Sequence, residues 1–261
     1  MPLHHESVSS HMASAARSAA LYQPRFFTGR NGPLDRYFYF AMSLVAAAVV
    51  AGGFGQTVGV KLFHPAIAPP RILWVHGAVF SGWILFVILQ SALVRSRNLR
   101  LHRQLGWAGA LLAAVMIPLG LATAVIMVRF EIFTLHLPHR YSFLAVPCYD
   151  MLVFSVSIAL AIAWRRRPEF HRRLMFFGTC ALLVAAFARV DRAFLGGHGL
   201  QDLGTDLLIA LCVLRDRLVD GRIHAVYRFA LPVYCAGQLF VIYLVSAGPA
   251  WWLRITHAIL G

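Results

Sequence analysis

Between residues 37 and 247 the chain alternates apolar stretches of about 20 residues with short segments crowded with arginine. That alternation limits the fold more than any other feature, because a helix needs about 20 mostly apolar residues to cross the hydrocarbon of a bilayer. Six runs meet the requirement, at 37–58, 72–94, 104–128, 143–164, 173–190 and 226–247. A seventh, at 197–214 (GHGLQDLGTDLLIALCVL), carries Asp202 and Asp206 in its first half. The separators VRSRNLRLHR, WRRRPEFHRR and LRDRLVDGRIHAVYR are too charged to lie in hydrocarbon. Helices are the default because lipid offers no partner to open backbone groups. The composition agrees: 59% of residues are hydrophobic and 13% charged, where water-soluble domains carry roughly 25% charged residues. The expected fold is an all-α, polytopic membrane helical bundle of about seven transmembrane helices over residues 36–261. Residues 1–35, polar and lacking the apolar core of a signal peptide, read as a mobile cytoplasmic tail.

Seven spans with a cytoplasmic N-terminus place 17 of the 24 basic residues on the cytoplasmic side. This bias follows the positive-inside rule and points to a bacterial inner membrane. The net charge of +14 is accounted for by these loops and by anionic lipid, so nucleic acid is not an expected partner. No phosphate loop, nucleophile elbow or His-Glu-x-x-His motif is present, and enzymatic activity stays open. The four cysteines fall one per run, at 148, 180, 212 and 235, without the close pairs that zinc or redox motifs need.

Two runs open alike. LHRQLGWAG at 101–109 and FHRRLMFFG at 170–178 each begin with an apolar residue, His-Arg, a polar residue and Leu, and each follows an arginine loop. The second to fifth spans therefore read as a repeated helical hairpin, with His102 and His171 at one depth near the cytoplasmic interface. Two readings remain open for this pair. Histidine, arginine and tryptophan at a helix entry anchor it at the headgroup layer. Alternatively, two imidazoles at equal depth can ligate one haem iron.

The segment HGAVFSGWILFVILQSALV followed by LHRQLGWAGALLAAVM resembles the hairpin of the cytochrome b-561 superfamily, in which a helix opening with His precedes one opening His-Arg-x-Leu-Gly. It also resembles bacterial multi-spanning proteins of unknown function that share the Gln and the same entry. The resemblance covers residues 72–190. In the superfamily four core helices each give a histidine, and two diagonal pairs hold two haems. Carried over by position, the resemblance implies that His102 and His171 form one pair and that His76 is half of the other. The fourth run contains no histidine, with Tyr149 and Asp150 near that depth, so the resemblance extends to one haem b at most.

A second constellation is expected at the outer side. His76, Trp83 and Gln90 fall at seven-residue steps and share one helix stripe. An intramembrane acid is costly unless paired, so Asp150 should face the bundle and meet Arg189 or His76, with Asp191 nearby; the pair would be either a structural lock or a ligand site. The scattered outer histidines have no metal-ligand spacing. Gly106, Ala110 and Ala114 form a small-residue ridge suited to close helix packing, and Pro118 with Gly120 predicts a kink in the third span. Two functions follow: a haem- or quinone-linked electron-transfer protein, or a non-redox transporter or sensor that binds a small molecule in a polar outer cavity.

Overall fold

A computed structural model describes residues 32–59 and 63–261. Most of the expected tail at 1–35 thus lies outside the described residues. All regular structure among them is helical: α1 (Pro33–Val58), α2 (Ile72–Arg95), α3 (Leu99–Phe133), a 3₁₀ segment (Pro138–Leu144), α4 (Ala145–Ala163), α5 (Pro168–Ala181), α6 (Val184–Phe194), α7 (Gln201–Val219), α8 (Ala225–Ala247) and α9 (Ala250–Leu260). Five helical segments are long and apolar enough to cross a membrane: α1, α2, α3, His139–Ala163 and α8. The expected span at 173–190 is instead two helices, α5 and α6, bent by 47° at Leu182–Leu183, and counting them as one span gives six.

The helix starts are written locally. The Asn98 side chain caps α3 by accepting from Leu101 N at 3.3 Å, which satisfies one of the amides that a helix start leaves open. Pro168 opens α5 at a position where a missing N–H costs nothing. These two starts follow short connections, so α2 packs on α3 and α4 on α5 as antiparallel neighbours, with α4 also packed on α3.

The core lies between these four helices, α1, α7 and α8. Trp83, Met116, Phe154 and Cys180 have no exposed surface. The Trp83 indole meets Phe154 edge-on at 5.2 Å and donates to Thr179 Oγ1 at 3.3 Å, tying α2 to α4 and α5. A glycine allows the closest helix approach: a Cβ on Gly53 would collide with the Ala186 carbonyl, so α1 lies directly against α6. A smaller core of Ala124, Val128, Ile132, Leu144 and Leu260 closes the end of α3 against the 3₁₀ segment and α9.

One packing expectation changes. Gly106 and Ala114 are exposed, and the buried stripe of α3 is the neighbouring one, Gly109, Ala113, Met116 and Gly120. Small residues occur on both stripes, and the contact with α2 and α4 goes to the one that meets Phe86 and Met151. In addition, α3 continues as one helix through Pro118.

Candidate functional site

His102 and His171 each occupy the fourth position of their helix, α3 and α5. The bundle brings their rings to a centroid separation of 6.3 Å at an interplanar angle of 77°. Each ring is held through Nδ1. His102 Nδ1 lies 2.6 Å from Gln90 Oε1 of α2, and His171 Nδ1 lies 2.9 Å from the Ala161 carbonyl of α4. A carbonyl only accepts, so the His171 Nδ1 carries a proton, and in the neutral ring Nε2 presents a lone pair. Gln90 Oε1 asks the same of His102. Neither Nε2 has a hydrogen bond among the described residues. Gln90 is buried, and its amide nitrogen also has no partner there.

Were a metal bound here, His102 and His171 would be the residues to hold it. Metal-bound histidines typically donate their other ring nitrogen to a carbonyl or carboxylate, which fixes ring and tautomer. The expectation that Gln90 belongs to an outer stripe with His76 therefore divides. Trp83 and Gln90 do face the bundle, but Gln90 lies two turns deeper than Trp83 and serves His102.

Beside the pair lies an ion cluster that the sequence reading assigned to loops. Arg173, Arg215 and Asp216 are 0–1% exposed. Arg173 donates to Asp216 through Nε at 2.8 Å and Nη2 at 2.6 Å. Arg215 reaches the same carboxylate at 2.8 Å. Asp220 accepts from both arginines at 2.9 Å, Glu169 from Arg172 and Arg173, and Asp35 from Arg172 and Arg215. The cluster thus joins α1, α5 and α7. Next to it His224 caps α8, its Nδ1 accepting from Val226 N at 3.2 Å. Burial, followed by the Arg173 charge, holds this imidazole below its ordinary pKa and keeps it neutral.

At the opposite end the expected constellation separates into three. His76 stacks on Phe80 at 3.9 Å, its buried Nδ1 without a hydrogen bond among the described residues, and Arg189 is the charge it feels. Arg189 bonds Thr57 at 3.2 Å and lies over Phe54 at 4.1 Å. Asp191 is buried and accepts from Gly199 N and Leu200 N at 2.9 and 3.3 Å, bracing the turn before α7. Asp150 meets neither cation. It lines a cavity of about 320 Å³ with Tyr149, Asp202, Tyr234 and Gln238, and its charged neighbour is Asp202. Gly237 leaves room there for the Tyr149 ring, whose hydroxyl donates to the Tyr234 carbonyl at 2.7 Å. The sequence showed Asp202 and Asp206 as charges in a weak span, but not that Asp202 shares a cavity with Asp150 while Asp206 accepts from Gln238.

No protein-family model matches the chain, and no curated protein or solved structure is detectably similar to it.

Proposed function

We propose that the chain is an integral membrane electron-transfer protein that holds one haem b between His102 and His171. The observation that carries this reading is the pair itself: two rings 6.3 Å apart, both anchored through Nδ1, with both Nε2 atoms left for a metal. Haem bound there would supply a one-electron couple close to one membrane face. Gln90 and the Ala161 carbonyl act as orienting groups that set tautomer and basicity. The exchange partner is a membrane quinone or a small-molecule donor.

This reading includes seven spans, a cytoplasmic N-terminus and an arginine-rich end at the cytoplasmic face of a bacterial inner membrane. The seventh span would be α7, which carries five charged residues and is not among the helices apolar enough to cross by composition alone. Arg215 and Asp216 are buried, whereas Leu203, Leu207, Leu214 and Leu218 are 41–62% exposed along its outer side. At Arg215 and Asp216 the helix turns paired charges inward while its leucines face outward, an arrangement that suits hydrocarbon.

The test is the visible spectrum of the protein purified in mild detergent from a haem-replete host, oxidised and then dithionite-reduced. A sharp set of reduced-state bands is expected, absent from His102→Ala and His171→Ala variants that still elute as folded monodisperse protein. A featureless spectrum from folded wild type refutes the reading. A graded effect is expected of Gln90→Leu, which keeps the volume of the side chain but frees the His102 ring. Haem affinity, measured by titrating the apoprotein, should fall about 10–100-fold, and unchanged affinity would remove Gln90 from the site.

A further inference from the structure

We infer that the cavity at the far end of the bundle, between α4, α7 and α8, binds a small organic ammonium ion. The inference is independent of the histidine pair, from which Asp150 is separated by about 16 Å of helix along α4, taking the 11 residues to Ala161 at 1.5 Å each.

The charge balance comes first. Asp150 and Asp202 line the cavity, and Asp206 stands behind Gln238, which donates to it at 3.2 Å. No lysine, arginine or histidine is among the lining residues. None of the three acids forms an ion pair among the described residues, and Asp150 has no hydrogen bond there either. The Asp150 side chain is partly buried, and the surface it keeps is that of the cavity it lines. A carboxylate within the thickness of a membrane is neutralised either by a proton or by a counter-charge, and among the described residues no cation faces these three acids.

Size and wall chemistry then select the ion. A volume of about 320 Å³ lies at the lower end of small-molecule pockets, roughly 300–1,000 Å³, and exceeds by about tenfold the roughly 30 Å³ share of one water molecule. No group of three or more His, Cys, Asp or Glu among the described residues is arranged to hold a metal ion. The stacked rings of Tyr149 and Tyr234, with centroids 6.0 Å apart, provide the aromatic surface that attracts an alkylated ammonium. Gln238 adds a neutral polar group that orients a ligand bearing a hydroxyl or carbonyl.

The probe is choline, whose charge cannot be lost by deprotonation, compared with its neutral isostere 3,3-dimethylbutan-1-ol. Binding is measured by calorimetry on the full chain in lipid nanodiscs. Saturable choline binding is expected, with the alcohol and the Asp150→Asn and Asp202→Asn variants each weaker by at least roughly tenfold, while thermal unfolding in the same discs stays close to wild type. Should either Asn variant fail to fold, Val245→Lys places a tethered ammonium on the cavity wall and should abolish choline binding. Absence of saturable binding to wild type, equal binding of the alcohol, or binding unchanged in the folded variants overturns the proposal.

Discussion

Asp216→Asn is expected to destabilise the folded bundle by about 3–5 kcal/mol, the cost of removing one partner from a buried ion pair. Asp216 is fully buried and accepts three hydrogen bonds, two from Arg173 and one from Arg215, at 2.6–2.8 Å. Asparagine is almost isosteric, so little packing is lost. What changes is that two guanidinium groups with 1% exposure lose the one carboxylate they share away from water. Asp220 and Glu169 still contact Arg173, but Glu169 is 45% exposed and 12% of the Asp220 side chain is exposed, so they compensate less completely. Thermal unfolding in detergent measures the effect, with Glu169→Gln as comparison. That partly exposed partner belongs to the class of ion pairs worth about 1 kcal/mol or less. Equal effects of the two substitutions would show that the cluster behaves as a solvated surface network.

The membrane bundle is legible in the sequence because the alternation of apolar runs and arginine loops survives without tertiary information. The ion cluster is not, and the reason is physical. Arg215 and Asp216 are adjacent in LRDRLVDGR, and a stretch so charged reads as a loop when each residue is assigned to water. In the structure α7 continues to Val219 and buries both residues against Arg173 of α5 and Asp35 of α1. Their partners lie 43 and 180 residues away, a separation that no local pattern encodes. The bend at Leu182–Leu183 is hidden for a similar reason, since neither proline nor glycine marks it.

The histidine pair shows the opposite case. His102 and His171 are found from sequence because each follows an arginine loop at the same place in a similar hairpin, and the structure sets the rings 6.3 Å apart. The far-end acids fall between these cases. Asp150 was identifiable as an intramembrane acid facing the bundle, but its neighbours depend on the face that α7 presents. That face is Asp202 and Gln238's partner Asp206 rather than Arg189.

Trp83→Ala should be as damaging as the loss of Asp216, at about 3–5 kcal/mol, through a wholly apolar mechanism. The indole is completely buried and occupies the space where α2, α4 and α5 meet. Its removal leaves a void bounded by Phe154 and Phe86, because helices held by the histidine pair at one end cannot collapse around it. The lost hydrogen bond is a small part of the total. Thr179 also donates to the Met175 carbonyl at 2.8 Å, so its hydroxyl keeps a partner, and a single neutral hydrogen bond contributes about 1 kcal/mol. Trp83→Phe separates the two contributions: it loses the donor and part of the volume but keeps the edge-on contact with Phe154. It should cost less than half as much as Trp83→Ala in thermal unfolding of the detergent-purified protein. If the two variants unfold alike, the indole N–H rather than the filled volume holds the three helices together. Since Trp83 lies two helical turns from Gln90, the Ala variant should also loosen the anchoring of the His102 ring, and under the proposed haem reading a weaker reduced-state spectrum should accompany its lower melting temperature.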